Sequence, residues 1–476
     1  MLFNTIPFFV FAAIFFPVYF ATRGSARITV LLISSYIFYG WWDWRFCFLL
    51  IWSTLLDFVV GRAMAASDDP VRRKILLILS LISNLGTLAV FKYFDFFSAS
   101  FTSLLNSVGV EATPFLLNVI LPVGISFYTF QTLSYTIDLY RRDLPAAEPS
   151  LLRFAAYVAL FPQLVAGPIV RARTLLPQLA VDQRLDLARI GLGLQWVVWG
   201  FFLKLCLADN AAIFVDARFD RPELYDAPSL ALATFLFSFQ IYGDFAGYSL
   251  IAIGLGKIMG FDFGINFNKP YHATSFSNFW QRWHISLSSW IRDYIYIPLG
   301  GNRGGEWFTA RNLTITMLLG GLWHGAAWTF VVWGLLHGAY LSLQRAAGVP
   351  AAAALRGIGV PRWLVTMLAG VVVYLLVCLA WIPFRAATLA DAWEIVRVIL
   401  TWETEGRVFG DNLLLLARVS LIALFVYLCD TLGLVRTVVR AYNSRWWLRL
   451  LGAVILLWGI ALFGSFDGTR FIYFQF

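Results

Sequence analysis

The chain has 476 residues, 60% of them hydrophobic and only 13% charged, with a mean hydropathy of +0.74. That leaves too little polar side chain to cover a water-soluble globule of this size, so the composition indicates a polytopic membrane protein in contact with membrane lipids. The formal net charge of +9 does not signal nucleic acid, because Lys and Arg fall in short clusters between apolar runs, as in the cytoplasmic loops of an inner-membrane protein.

The first apolar run has no basic residue before it and no evident small-residue cleavage site, so we read it as a retained helix. Arg23 and Arg27 follow it, and the positive-inside rule then places the N-terminus outside. Segment 28–42 goes out and 46–61 returns, to a loop holding Arg62, Arg72, Arg73 and Lys74. Segment 75–97 crosses outward, and 114–139 comes back to Arg141 and Arg142. Residues 151–170 are apolar but broken by Pro162, Gly167 and Pro168, which predicts a re-entrant segment surrounded by protein or a cavity. Crossings are expected at 190–208, 227–258, 309–326, 327–345, 363–383, 412–432 and 447–464. The loop at 384–411, with Asp391, Glu394, Glu403 and Glu405, falls outside.

The expected fold is therefore all-α, with about 11–12 transmembrane helices plus re-entrant or interfacial helices, in one membrane-embedded domain over residues 1–476. No internal repeat marks a two-fold transporter. Cys47, Cys206, Cys378 and Cys429 are widely spaced without zinc or redox spacing and read as buried small hydrophobes. No metal site is expected.

The stretch from Asn278 to His337 holds three of the four histidines, His284, His324 and His337. On a helix over 309–326, His324 lies about 15 residues along, or roughly 20 Å in at 1.5 Å per residue. Gly320, Gly321, Gly325, Ala326 and Ala327 surround it, with Trp323 as a rigid wall. Small residues let a substrate or a second backbone approach closely, and either use fits the spacing. Upstream, Arg282, His284, Arg292, Asp293 and Arg303 stand among aromatics, where an unpaired charge at the centre of a helix costs about 2.5–3.5 kcal/mol or more. On a regular helix His284 shares a face with Ser288 and opposes Asp293. The guanidiniums suit either the phosphates of an anionic donor or lipid headgroups, and Gly300, Gly301, Gly304 and Gly305 permit close backbone approach.

The run WQRWHISLSSWIRDYIYIPLGGNR followed by LLGGLWHGAAWTFVVWGLLHG resembles the signature of the membrane-bound O-acyltransferase family, on its bacterial alginate O-acetyltransferase side. SSYIFYGWWDWRF, LPVGISFYTFQTLSYTIDLYR, FPQLVAGPIVR, YGDFAGYSLIAIGLGKIMGF, NFNKPY and the terminal FIYFQF extend the resemblance over most of the chain. The resemblance implies a ring of helices around a central tunnel, where a cytoplasmic acyl donor meets an acceptor from the other face. It implies that His324 is catalytic and that His284 is a second functional histidine. Gln163 departs from the pattern, standing where some alginate enzymes have histidine.

On this reading neutral His324 is a general base for attack of a hydroxyl on the thioester of acetyl-CoA, with no permanently bound cofactor. Arg282, Arg292 and Trp323 are candidates for binding the donor, and Asp293 for orienting an arginine or tyrosine. His337 and His272 read as structural, His337 alternatively as orienting a partner. Asp244 and Asp138 fit either a tunnel wall or a structural pair. The expected destination of the acetyl group is a periplasmic acetyltransferase partner protein and then an exopolysaccharide, alginate or else peptidoglycan. Both termini are expected to be periplasmic. A transporter or a structural export subunit are the alternatives from other classes.

Overall fold

The computed structural model describes residues 1–165, 167–407, 413–433, 446–466 and 471–472. Among them every regular element is a helix, and one isolated bridge pairs Tyr225 with Arg407. A chain this apolar satisfies its backbone within each segment, which in a bilayer leaves the helix as the available open solution. Among the described residues six helical runs are long and apolar enough to cross a membrane: Trp44–Ala65, Pro70–Ser107, Leu187–Phe219, Ala227–Met259, Arg362–Arg385 and Leu413–Thr431. Other expected crossings are shorter helices, such as α1 (Ile6–Ala21, 16 residues) and α2 (Gly24–Gly40, 17 residues), against the roughly 20 residues of a full span. Contacts divide the chain into two units, one of Met1–Val197 with Ser249–Gly264, the other of Val198–Tyr248 with Ile265–Phe476.

In the first unit, α3 (Cys47–Ala65), α4 (Pro70–Leu88) and α6 (Ile125–Arg141) surround a buried polar network. Ser80 Oγ donates to Asp57 at 2.6 Å, Asn84 Nδ2 donates to it at 2.8 Å, and Ser53 Oγ donates to Asn84 Oδ1 at 2.7 Å. A π-helical turn, Ala89–Tyr93, joins α4 to α5 (Phe94–Ser107). The crossing expected at 114–139 begins only at Ile125. Pro114 and Pro122 withhold backbone donors, Gly124 has a φ of +79°, and Asp95 instead accepts from the N–H groups of Leu117 and Asn118. The interruption at Pro162 is real: α7 (Leu151–Ala159) and α8 (Phe161–Leu164) are short, and Leu160 between them and Val165, Ile169 and Val170 after them are buried. Gln163, also buried, donates from Nε2 to the Tyr157 carbonyl at 2.9 Å and so ties α8 to α7.

The second unit carries most of a 33-residue helix, Ala227–Met259. Lys204 lies in a π-helical segment, Phe202–Ala208, and its ammonium reaches Asp209 at 2.7 Å and Asp244 at 2.6 Å. Asp244 also accepts from the backbone N–H of Ile472 at 2.6 Å, so its role is a buried ion pair that ties down the chain at Ile472. The last four residues of FIYFQF, 473–476, lie outside the described residues.

The loop expected at 384–411 contains a helix, Leu389–Thr401, and residues 408–411 lie outside the described ones. Thr388 and Asp391 form a reciprocal capping box, and Ala392, Ile395 and Val398 recur at helical spacing as its buried face. On the helix Arg397 pairs with Glu394 and also with Glu403, which follows the helix end. That guanidinium holds both carboxyls below their ordinary values.

Helices Glu306–His324 and Trp328–Leu343 form an antiparallel hairpin, an outgoing and a returning arm closed by Gly325, Ala326 and Ala327. Their backbones nearly touch. A Cβ on Gly321 would stand 2.2 Å from the Phe330 carbonyl oxygen, and one on Gly334 would stand 2.5 Å from that of Met317. Neither oxygen is the end of a flexible side chain, so the helices themselves would have to part. Gly321→Ala and Gly334→Ala are each expected to destabilise the protein by about 1–3 kcal/mol or more, read as a lower Tm in detergent micelles. Gly191→Ala, whose added Cβ meets nothing within 4 Å, should leave Tm unchanged or raise it.

Candidate active site

The hairpin sets His324 as the last residue of its outgoing arm, 18 positions after Glu306 and thus about 27 Å along the helix. The helix expected over 309–326 ends two residues earlier, so His324 stands where the helix ends and the backbone turns. Its ring is buried and caged edge-on by Trp323 at 5.0 Å, Trp333 at 5.0 Å and Phe384 at 5.3 Å between centroids. Phe384 comes from the last turn of a helix over Arg362–Arg385, which packs on the returning arm.

One face of this cage opens on a cavity of about 550 Å³. His324, Trp333, Trp280, Met317, Gly320 and Ile291 are on its wall, together with Ser288, Ser289, Gln281, Gln344, Arg292 and Arg345. The lining is mostly apolar with a few polar groups, the composition of a small-molecule site. Arg292 and Arg345 bring two exposed guanidiniums to it. Asp293 accepts from Arg292 Nε at 2.7 Å. Glu306 takes two hydrogen bonds from Arg345, at 2.8 and 3.1 Å. Arg345 was missed in the sequence because a cation at a helix end reads as a snorkelling side chain.

The other candidates fall elsewhere. Arg282 donates from Nε to Asn278 Oδ1 at 2.9 Å and toward the Asn268 carbonyl at 3.3 Å, bracing its own segment and lying outside the cavity lining. Trp323 is buried between the two histidines, 5.8 Å from His284 and 5.0 Å from His324, also off the lining.

His284 corrects an expectation. It does not share a helix face with Ser288, because it precedes the helix Ile285–Ile291 with a left-handed φ of +43° and only its carbonyl reaches Ser288, accepting from the backbone N–H. The helix then passes into a π-helical turn, Arg292–Tyr296, so regular spacing to Asp293 fails as well. Asn266 is the residue that spacing could not supply. Its Oδ1 accepts from the Ser286 N–H at 3.1 Å and from Ser286 Oγ at 2.8 Å, which identifies this atom as the amide oxygen. His284 Nδ1, 3.2 Å from the same atom, therefore carries the hydrogen, and a neutral ring offers its lone pair at Nε2. That nitrogen is buried with no hydrogen-bond partner among the described residues. His337 is fully buried between Trp280 and Trp333, at 5.0 and 4.8 Å, and off the cavity lining, while His272 stacks on Tyr427 and bonds Thr431. All four cysteines are free thiols, three of them buried.

Asn266→Ala should remove the acceptor of three donors at once and cost about 1–3 kcal/mol of stability, seen as a lower Tm; Asn266→Asp, which keeps an acceptor oxygen, should cost less.

Residues 138–382 match the model of the MBOAT, membrane-bound O-acyltransferase, family. The chain is 42% identical over 400 residues to the probable alginate O-acetylase AlgI of Pseudomonas aeruginosa, covering 83% of this chain and 74% of the relative. It is 36% identical over 431 residues to a peptidoglycan O-acetyltransferase of Helicobacter pylori, covering 83% and 79%. A teichoic acid D-alanyltransferase of Streptococcus thermophilus is 29% identical over 254 residues, half of this chain. This polytopic helical chain, with its caged histidine on a cavity wall, belongs to the membrane-bound O-acyltransferase family and is an O-acyltransferase.

Proposed function

We propose that the protein takes acetyl from cytoplasmic acetyl-CoA and passes it across the inner membrane for O-acetylation of an exopolysaccharide, alginate foremost, through a periplasmic acetyltransferase partner. Residues 1–476 act as one catalytic domain, and the placement of Lys and Arg supports periplasmic termini. The observation that carries the reading is that His324 lines the same cavity as Arg292 and Arg345. An imidazole that can accept a proton and guanidiniums that can hold phosphates share one enclosure.

In the reaction, a hydroxyl of the acceptor adds to the thioester carbonyl carbon while its proton passes to neutral His324. The C–S bond then breaks, and the leaving thiolate takes that proton from the imidazolium. Arg292 and Arg345 hold the donor's phosphates, while Trp323 keeps the two histidines apart and rigid. His284, fixed in one tautomer by Asn266, acts as the second functional histidine, and Arg282 supports the donor side by bracing its segment.

The similarity to the peptidoglycan O-acetyltransferase of Helicobacter pylori favours peptidoglycan as the second choice of acceptor. Gln163, an amide tied to the Tyr157 carbonyl, cannot serve as a base in either case.

With purified protein in detergent, acetyl-CoA and acceptor, His324→Ala should lower the rate about 10²–10⁴-fold while the protein stays folded. The parent rate should rise with pH as the imidazole deprotonates, a limb that the alanine variant lacks. Unchanged activity in the variant would remove His324 as the base. Mass analysis of polymer from a strain lacking the protein separates the acceptors, since loss of acetyl from peptidoglycan with alginate intact would make peptidoglycan the acceptor.

A further inference from the structure

Trp333 lies on the returning arm of the hairpin with its side chain fully buried, and it lines the cavity beside His324. The two rings are 5.0 Å apart with their planes at 83°. An indole N–H can donate a hydrogen bond and do nothing else, yet the one on Trp333 meets no acceptor among the described residues. Even His337, 4.8 Å away ring to ring, takes no hydrogen bond from it. Packing against Trp381 at 6.0 Å and Phe384 at 5.2 Å fixes the ring where it is. A buried donor left unpaired destabilises a fold, and one on a cavity wall is placed to serve a ligand. Here the wall that carries it also carries the proposed base.

We propose that Trp333 is a catalytic residue whose indole N–H donates to the carbonyl oxygen of the bound acetyl thioester. The inference rests on the acetyl-transfer reading above. As the acceptor oxygen adds to the carbonyl carbon and its proton goes to His324, the C=O electron pair moves onto the carbonyl oxygen. That oxygen becomes an anion, and the N–H bond to it strengthens. When the pair returns, the C–S bond breaks and the thiolate leaves with the proton from His324. A donor already in place within an apolar enclosure costs no reorganisation at that moment.

The test replaces Trp333 with 3-benzothienylalanine, which keeps the bicyclic shape and exchanges the N–H for sulfur, alongside Trp333→Phe. With acetyl-CoA as donor, the isostere should lower kcat about 10²-fold or more, with KM within about twofold of the parent and an unaltered pH limb from His324. Trp333→Phe, which also loses packing, should lose at least as much and additionally lower Tm. A kcat for the isostere within twofold of the parent overturns the inference, and so does a rise in KM as large as the fall in kcat. Activity surviving in His324→Ala would instead strike the acetyl-transfer mechanism itself. A slow isostere beside an inactive His324→Ala upholds both.

Discussion

Two helices that touch backbone to backbone set the rest of this site. Between the arms of the hairpin the glycines at 321 and 334 leave no room for a Cβ, and carbonyl oxygens of the opposite helix fill the space. In a bilayer there is no hydrophobic drive between apolar helices, so contact of this closeness supplies the association through packing itself. The tightness also lets three small residues close the turn. His324 is thereby delivered at a helix end, with Trp333 from the returning helix against it.

Polar groups in the molecule divide by what they serve. Several that hold the fold are satisfied locally: Asp57 by Ser80 and Asn84, Lys204 by Asp209 and Asp244, and Asp244 in turn by the backbone at Ile472. Such pairing offsets the desolvation of a buried charge and specifies which helices meet. The indoles of Trp280 and Trp333 are on the cavity wall, and their N–H groups meet no acceptor among the described residues. Arg292 and Arg345 each meet a carboxylate there, with the guanidinium still exposed. Exposed ion pairs are weak, about 0–1 kcal/mol, so an arriving anion displaces them cheaply.

Much of the chain could be read from residue order because its signals are local. Apolar runs announced the helices, and Pro162 announced the break between two short ones. The small residues around Trp323 announced a close approach, and the isolated cysteines announced free thiols, of which Cys47 alone proved only half-buried. Reading failed where it assumed a regular helix. The left-handed φ at His284 and the π-helical turn after Ile291 rotate every later side chain away from the face that 3.6-residue counting assigns. It also left unread the helix within the connection at 384–411, which a capping box starts and a buried stripe holds.

Composition and motif order alone determined that this is a polytopic helical membrane protein, that His324 sits among small residues beside an aromatic wall, and which family the chain resembles. Only the tertiary structure decided that Asn266 fixes the tautomer of His284, that Arg345 rather than Arg282 joins Arg292 on the cavity, and that Trp333 faces His324. The physical reason is distance along the chain. Helix formation and burial depend on neighbours within a turn or two, whereas Asn266 meets a residue 18 positions away, and Arg345 reaches Glu306 across 39 positions because a hairpin returns it there.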